Sequence, residues 1–493
     1  MQTTIKAIKV LFLFSPLFLT ACAISTPATQ VSDQVATKWY SPLPVAAGAS
    51  ATDLPHQGSV KVLSNWWQSL GDPLLVELIA SAQAASPSVT AASNRIAQAR
   101  SAVVATGAAT APQLSAAASA NRGGGQLNVP VSSMGQVGLQ ASWEIDVWGG
   151  NRAAQAAAQA RLAGSQAGWH EARVSVAAEV ANTYLNLRTC ELLVNVAKDD
   201  VTSRTETSRL TGLLANAGFT APANASLARA SNAQSQSMLT LQRTQCDMQV
   251  KALVALTTLS EPEIRQKMAS NIGLASVINA YDAMNNIAIE AIPKLPAQLL
   301  AQRPDVFAAQ QEVAAASGDV GSAQAAKYPR LGLSGSVGLA ALRTGGVSTD
   351  GTTWSVGPVS VTLPIFDGGR SSAAVDLANA NYAAAAANYR AKVRGAVREV
   401  EDALLSLQSA ADRLVDAAIA TEGYSAAFVA SEARFKSGLG SLSDLEDTRR
   451  TALAAKTALL NLERERSAAW VALYRALGGG WSITGNENMA KTL

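Results

Sequence analysis

Beyond Pro364 the chain has no proline, so nothing covalent interrupts a helix over the last quarter of the sequence. It has two histidines, His56 and His170, and three cysteines, Cys22, Cys190 and Cys246. So few ligands, and none in a His/Cys metal spacing, give no His/Cys metal centre and leave catalysis with poor candidates. Gly123-Gly124-Gly125 lies beside strand-like sequence and lacks the helix start that a phosphate cradle needs. No enzyme and no cofactor are expected. After the first 21 residues there is no apolar run of about 20, the length a spanning helix requires. There is also no block of one charge. Without Lys6 and Lys9 the 39 basic residues become 37, against 36 acidic ones. Nucleic-acid binding therefore has no electrostatic support.

What is present begins with an export signal over 1–21. Lys6 and Lys9 form its basic end, and Val10 to Leu19 its short apolar core. It runs into Leu19-Thr20-Ala21-Cys22, which resembles a bacterial lipobox. That resemblance implies cleavage before Cys22 and a covalent lipid on its thiol; the alternative is an ordinary secretory signal followed by a chance cysteine. Ala23 stands where inner-membrane lipoproteins commonly carry aspartate, which points by analogy to the outer membrane. Acyl chains anchor a protein without a spanning helix. Residues 22–60, rich in Ser, Thr, Ala and Pro, read as an extended arm.

From about Arg370 to Lys436 strong helix formers dominate. They predict one helix roughly 100 Å long, ending at Ser437-Gly438-Leu439-Gly440 with a second helix from about Ser441. The same pattern occurs about 220 residues earlier, the offset drifting by a few residues. Val147-Trp148-Gly149-Gly150-Asn151-Arg152 matches the opening Ile365-Phe366-Asp367-Gly368-Gly369-Arg370, and Ala217-Gly218-Phe219 matches the break. Matched glycines and breaks in the same order indicate an internal duplication. The expected organisation is a first repeat over 61–260, with a helical hairpin at about 152–260. A linking segment over 261–294 follows, then a second repeat over 295–477 with its hairpin at about 370–477, and a tail over 478–493. Within the first repeat, Trp66-Trp67 and Gly71-Asp72-Pro73 precede a short helix carrying Leu74, Leu75, Leu78 and Ile79 on one face. Another helix runs from Pro87 toward Pro112.

Each repeat also carries two segments of period-two alternation: about 112–122 and 136–148, then about 329–341 and 353–366. Leu139, Ala141, Trp143, Ile145 and Val147 alternate with Gln140, Ser142, Glu144 and Asp146. Alternation over some ten residues is the weak mark of an outer-membrane barrel strand. A loop is expected over Thr344–Thr353, and a bulge at Gly357-Pro358, where the phase slips. Four strands cannot close a barrel, and lipid tolerates no open sheet edge; three copies would supply 12. The fold expected is mainly α with a membrane β part. As a trimer, the duplicated strand-hairpin and long-helix repeat would form a 12-stranded β-barrel and a long periplasmic α-barrel.

The stretch Leu295-Pro296-Ala297-Gln298-Leu299-Leu300-Ala301-Gln302-Arg303-Pro304-Asp305-Val306, continuing to Tyr328-Pro329-Arg330-Leu331, resembles the TolC-type outer-membrane factors. More narrowly it resembles the NodT-type lipoprotein branch that serves RND-class efflux pumps. Trp66-Trp67 and Ala476-Leu477-Gly478-Gly479-Gly480-Trp481 resemble the same branch. The likeness implies a homotrimer in the outer membrane with a large periplasmic portion. It implies a passive exit duct completed by a periplasmic adaptor and an inner-membrane pump. Ducts for another pump class or for type I protein secretion stand as alternatives. So do a structural coiled-coil lipoprotein and a periplasmic adaptor, neither of which would need the strand pairs.

Two residue pairs carry specific expectations. Asp444 and Asp447 fall at i and i+3 on one helix face just past the second break. In three copies they would crowd six carboxylates together and attract cations. The bland reading is a helix start, with Ser443 and Glu446 as a capping box. The family carries two aspartates at this spacing as a constriction ring, which implies a gate. The first repeat has Asn224 and Leu227 at the matching positions. Phe435 and Gly440 stand where some relatives use a tyrosine and an arginine to lock the closed end. Cys190 and Cys246 lie 28 residues either side of Gly218. A chain folded at Gly218 would set them level, as a disulfide in an oxidising compartment or as two buried thiols.

Overall fold

The computed structural model describes residues 24–32, 38–41, 66–69, 71–124, 131–270 and 303–481. The elements in chain order are α1 (Trp66–Ser69), α2 (Pro73–Ala85), α3 (Pro87–Ala108), β1 (Gln113–Gly123), β2 (Ser132–Ile145), α4 (Gly150–Asn216), α5 (Pro222–Thr257), α6 (Glu261–Ser270), α7 (Pro304–Ala325), β3 (Arg330–Thr344), β4 (Val347–Thr362), α8 (Arg370–Lys436) and α9 (Leu442–Ala476). Two compact units divide them. One takes Ser93–Ala167 and Phe307–Ala391 with the chain up to Asp33; the other takes Gln34–Ala92, Gly168–Val306 and Lys392–Leu493.

The first unit holds a four-stranded antiparallel sheet in the order β1-β2-β3-β4, and its register sorts the side chains into two faces. Leu139 opposes Ala116 on one side and Val337 on the other, and Val337 opposes Trp354. Partners directly opposite share a face, so this face collects Leu114, Val137, Leu139, Trp143, Leu331, Leu333, Val337 and Leu339. The other collects Ser119, Gln136, Gln140, Ser142, Glu144, Ser334 and Ser336, with Met134 and Leu342 as apolar exceptions near the hairpin ends. Leu114, Val137, Val337, Leu339, Trp354 and Val356 are all exposed.

The bulge is where the phase slip predicted it. Val359 opposes Leu333 and Val356 opposes Gly335, so Gly357 and Pro358 together face Ser334. The extra residue shifts the parity of β4. Without it, Trp354 and Val356 would point away from Val359 and Val361; with it, all four lie on the apolar face. The expected loop at Thr344–Thr353 is not found. β3 and β4 pair up to Thr344 and Val347, joined by Gly345 and Gly346 at φ 57° and 87°. Two consecutive left-handed residues make the tight turn whose twist suits a hairpin, and Ser348 to Thr353 join the strand.

The second unit holds most of two helical hairpins, whose long first helices begin in the first unit. α4 and α8 are each 67 residues long and start and stop 220 residues apart. Both end in the same way. Gly218 and Gly438 take φ of 80° and 77°. The amides of Phe219 and Leu439 then donate back to the carbonyls of Leu214 and Arg434, at 2.8 Å each. This is the Schellman arrangement, which needs a left-handed residue and satisfies the last carbonyls. Along α5 the buried positions include Ala228, Ser231, Ser235 and Thr257, small side chains that let helices approach closely. Larger groups cluster elsewhere in the unit. Trp66 lies 5.6 Å and Trp67 4.7 Å from the Tyr474 ring. Asp72 caps α2 through the amides of Leu74 and Leu75 and accepts from Tyr184 Oη at 2.5 Å. Burial pushes the Tyr474 hydroxyl up to about 12.

Candidate functional site

The start of α9, just past the break after α8, carries the two aspartates. Ser441 is the N-cap of α9, its hydroxyl accepting from the Asp444 amide at 3.0 Å. The cap is therefore Ser441 and not Ser443, and Glu446 is no partner in a capping box. This cap leaves both carboxylates on the surface. Asp444 and Asp447 are exposed, while Leu442, Leu445 and Arg449 turn inward. Asp447 meets Arg450 at 2.5 Å, and among the described residues Asp444 has no ion-pair partner. The matching turn of the first repeat has Pro222 at its helix start and no side-chain cap, with Asn224 and Leu227 in the equivalent places. The acidic pair belongs to one repeat only.

Glu446 does something the sequence did not disclose. Its carboxylate accepts from Arg204 on α4, from Ser231 on α5 at 2.8 Å, and from Arg449 on its own helix. Arg449, 1% exposed, donates to Ser203 Oγ at 3.0 Å and Thr207 Oγ1 at 2.9 Å, and lies over the Phe428 ring of α8. Burial lowers the Arg449 guanidinium from its usual value and raises the neighbouring Asp200 carboxyl, against the pull of Arg204. One buried cluster thus ties the second hairpin to the first, about a turn from the aspartates. Phe435 is half-buried and Gly440 lies against the Arg434–Phe435 backbone; neither supplies a polar lock.

Cys190 and Cys246 are joined as a disulfide, their Cα atoms 5.6 Å apart, linking α4 to α5. Cys22 and His56 lie outside the described residues, as do residues 271–302 with the first part of the Leu295–Val306 motif. The described part of that motif is structural. Arg303, 6% exposed, donates twice to Asp305 at 2.9 Å, to Glu399 at 2.8 Å, and to the carbonyl of Ala476 at 2.9 Å. It holds the start of α7, the side of α8 and the end of α9 together. The arm also leaves traces. Pro27 and Ala28 carbonyls accept from Ser317 and Tyr382, and the amides of Tyr40 and Ser41 donate to Glu401.

Comparison with known proteins agrees with this architecture. A family model described as outer membrane efflux protein matches residues 78–258 and 295–479. Among curated proteins, the pyoverdine export outer membrane protein OpmQ of Pseudomonas aeruginosa is 30% identical, over 96% of this chain and 98% of its own. The solvent efflux pump outer membrane protein SrpC of Pseudomonas putida is 29% identical over 72% and 73%. Among solved structures, the outer-membrane channel OprN has a TM-score of 0.78 at 26% identity, covering 93% of this chain and 100% of that one. The outer membrane protein VceC of Vibrio cholerae has a TM-score of 0.71 at 27% identity, over 84% and 98%. The chain belongs to the outer membrane efflux protein family.

Proposed function

We propose that three copies of this chain assemble into the exit duct of a tripartite efflux system, with Asp444 and Asp447 gating its periplasmic end. The observation that carries the reading is the sheet. Its apolar face is kept continuous by the bulge at Gly357-Pro358 and is exposed in the single chain, while both β1 and β4 are open edges. A four-stranded sheet with one lipid-compatible face and two unpaired edges is a stave awaiting neighbours, since a barrel in lipid must close. Three staves give 12 strands.

In that assembly the α8–α9 turns of three copies bring their aspartates around one axis. Like charges close together favour cations and repel anions. The duct is passive: energy and cargo choice belong to the partners, a periplasmic adaptor and an inner-membrane pump of the RND class. Relatives named for solvent efflux and for pyoverdine export support a common conduit with differing cargo. Cys22 carries the lipid that anchors the arm to the outer membrane.

The test is conductance of purified trimers in planar bilayers, for the native chain and for Asp444→Ala/Asp447→Ala. A small, cation-selective conductance that rises or loses selectivity in the double variant is expected. Native trimers that form no channel would sink the duct, and channels indifferent to the double substitution would sink the gate alone.

A further inference from the structure

One row of the sheet is out of keeping with the rest of its apolar face. Arg122 opposes Ser133, Ser133 opposes Arg343, and Arg343 opposes Ser348. The row therefore reads Arg, Ser, Arg, Ser across four strands, on the same face as Leu139, Val337 and Trp354. Both arginines and Ser348 are exposed. The row lies at the hairpin end of the strands, next to the Gly345-Gly346 turn and away from the helices.

Its height can be set against a membrane. The apolar rows run from Leu331 up to Ala341, ten residues along β3. At about 3.4 Å per residue that is about 34 Å of strand, or about 26 Å of depth at a tilt of about 40°. A transmembrane barrel carries an apolar band about 25 Å tall. The band is filled by Ala341, and the next residue on this face is Arg343. The row below the arginines is small, Ala120, Gly135 and Ala341, with Asp350 on β4 as its one charged member. Arg122 and Arg343 stand on either side of β2, so their Cα atoms are about 10 Å apart, a gap that two long side chains close over Ser133. Asp350 is on the far side of Arg343 from Arg122, which places the positive centre between β1 and β3.

We propose that Arg122 and Arg343, with Ser133 between them, bind the phosphate of a phosphorylated, acylated lipid in the outer leaflet. Guanidinium groups bind phosphate oxygens in pairs of charge-assisted hydrogen bonds. The acyl chains lie down the face over Ala120, Gly135 and Ala341, against Val137 and Leu339. This rests on the reading that the sheet spans the membrane. A free phosphate would use the arginines but gain nothing from the apolar rows beneath them.

Native mass spectrometry of detergent-purified trimers tests this, with lipid A, fully dephosphorylated lipid A and phosphatidylcholine as probes. Lipid A is expected to bind the native chain, with Arg122→Gln/Arg343→Gln weakening it about tenfold or more. Arg122→Lys/Arg343→Lys keeps the charge without the paired geometry and should fall between, while Asp350→Asn should tighten binding. Trimers and bilayer conductance serve as the control that the glutamine variant is folded and inserted. Equal binding by the glutamine variant, or by dephosphorylated lipid A, overturns the proposal. So does displacement of lipid A by millimolar inorganic phosphate, which would make the row a free-anion site. Native trimers without conductance would instead count against the duct itself.

Discussion

Arg303 shows how a residue can be conspicuous in sequence while its work stays hidden. The motif around it identifies the family, yet nothing in the string says that its guanidinium faces Asp305, Glu399 and the last carbonyl of α9. Asp305 is two residues away, but Glu399 and the Ala476 carbonyl lie 96 and 173 residues away, beyond any local pattern. Glu446 teaches the same lesson in reverse. Its spacing from Ser443 suggests a capping box, but Ser441 takes the cap and Glu446 turns inward to Arg204, Ser231 and Arg449. Local spacing has several solutions, and long-range charge decides among them. Removing one partner of a buried pair strands the other, at a cost of roughly 3–5 kcal/mol. Arg303→Ala should lower stability by about that amount in a denaturant titration, and more than Glu399→Ala, whose carboxylate is the more exposed partner. Burial alone would push the Asp305 carboxyl up, but the bonds and charge of Arg303 outweigh it and hold it below its ordinary value of 3.8. A depressed carboxyl stabilises the fold above its unfolded pKa and loses that contribution as pH falls through the folded one. The native chain should therefore lose stability below about pH 4, and Arg303→Ala should flatten that part of the profile. An unchanged acid limb would remove the ion pair from the account.

At the scale of elements, boundaries were legible wherever glycine or proline marks them. Both long helices end at a left-handed glycine, and α5 starts on Pro222. The β3–β4 turn was not legible, because Ser348 to Thr353 is polar and reads as loop; pairing with Ala340, Ala341, Leu342 and Arg343 makes it strand. The bulge was legible as a slip of phase, and its purpose became clear only with the register. Deleting Pro358 removes the extra residue and leaves Val356 opposite Gly335 and Trp354 opposite Val337, so both should stay on the apolar face. A trimer band on unheated sodium dodecyl sulfate gels equal to that of the native chain is the expected outcome; loss of the band would show that the bulge itself is needed, and not only the face it keeps continuous. That Cys190 and Cys246 lie level was legible from their equal distance from Gly218; that they are bonded was not, and comes from the structure. The disulfide's loop of 56 residues corresponds to roughly 4 kcal/mol in the chain-entropy model. Cys190→Ser/Cys246→Ser should lower the melting temperature of the helical signal, and reduction of the native protein should give the same shift. If reduction leaves it unmoved, the link restrains nothing that the helices do not already hold.

On the scale of the assembly, the two repeats have diverged in opposite directions. The first hairpin is closed covalently by Cys190–Cys246 and bears Asn224 and Leu227 at its turn; the second has Ala410 and Arg466 at the corresponding offsets and bears Asp444 and Asp447. The two long helices are equal in length and end alike, and the acidic pair stands in one hairpin only. In the proposed trimer the first hairpin serves as a fixed wall, and the second supplies the ring. A ring of exposed carboxylates acts through its field, and that field is screened over about 10 Å at 0.1 M salt and about 3 Å at 1 M. The preference for potassium over chloride, taken from reversal potentials across a salt gradient, should therefore be strong near 0.1 M and much reduced near 1 M. Asp444→Asn/Asp447→Asn should show a weak preference at both salt concentrations, because it keeps the shape of the constriction and removes only the charge. Selectivity that survives 1 M salt in the native channel would place the discriminating groups in a narrower, drier part of the duct. A selectivity equal in the native and asparagine channels at 0.1 M would show that the six carboxylates do not meet around the pore.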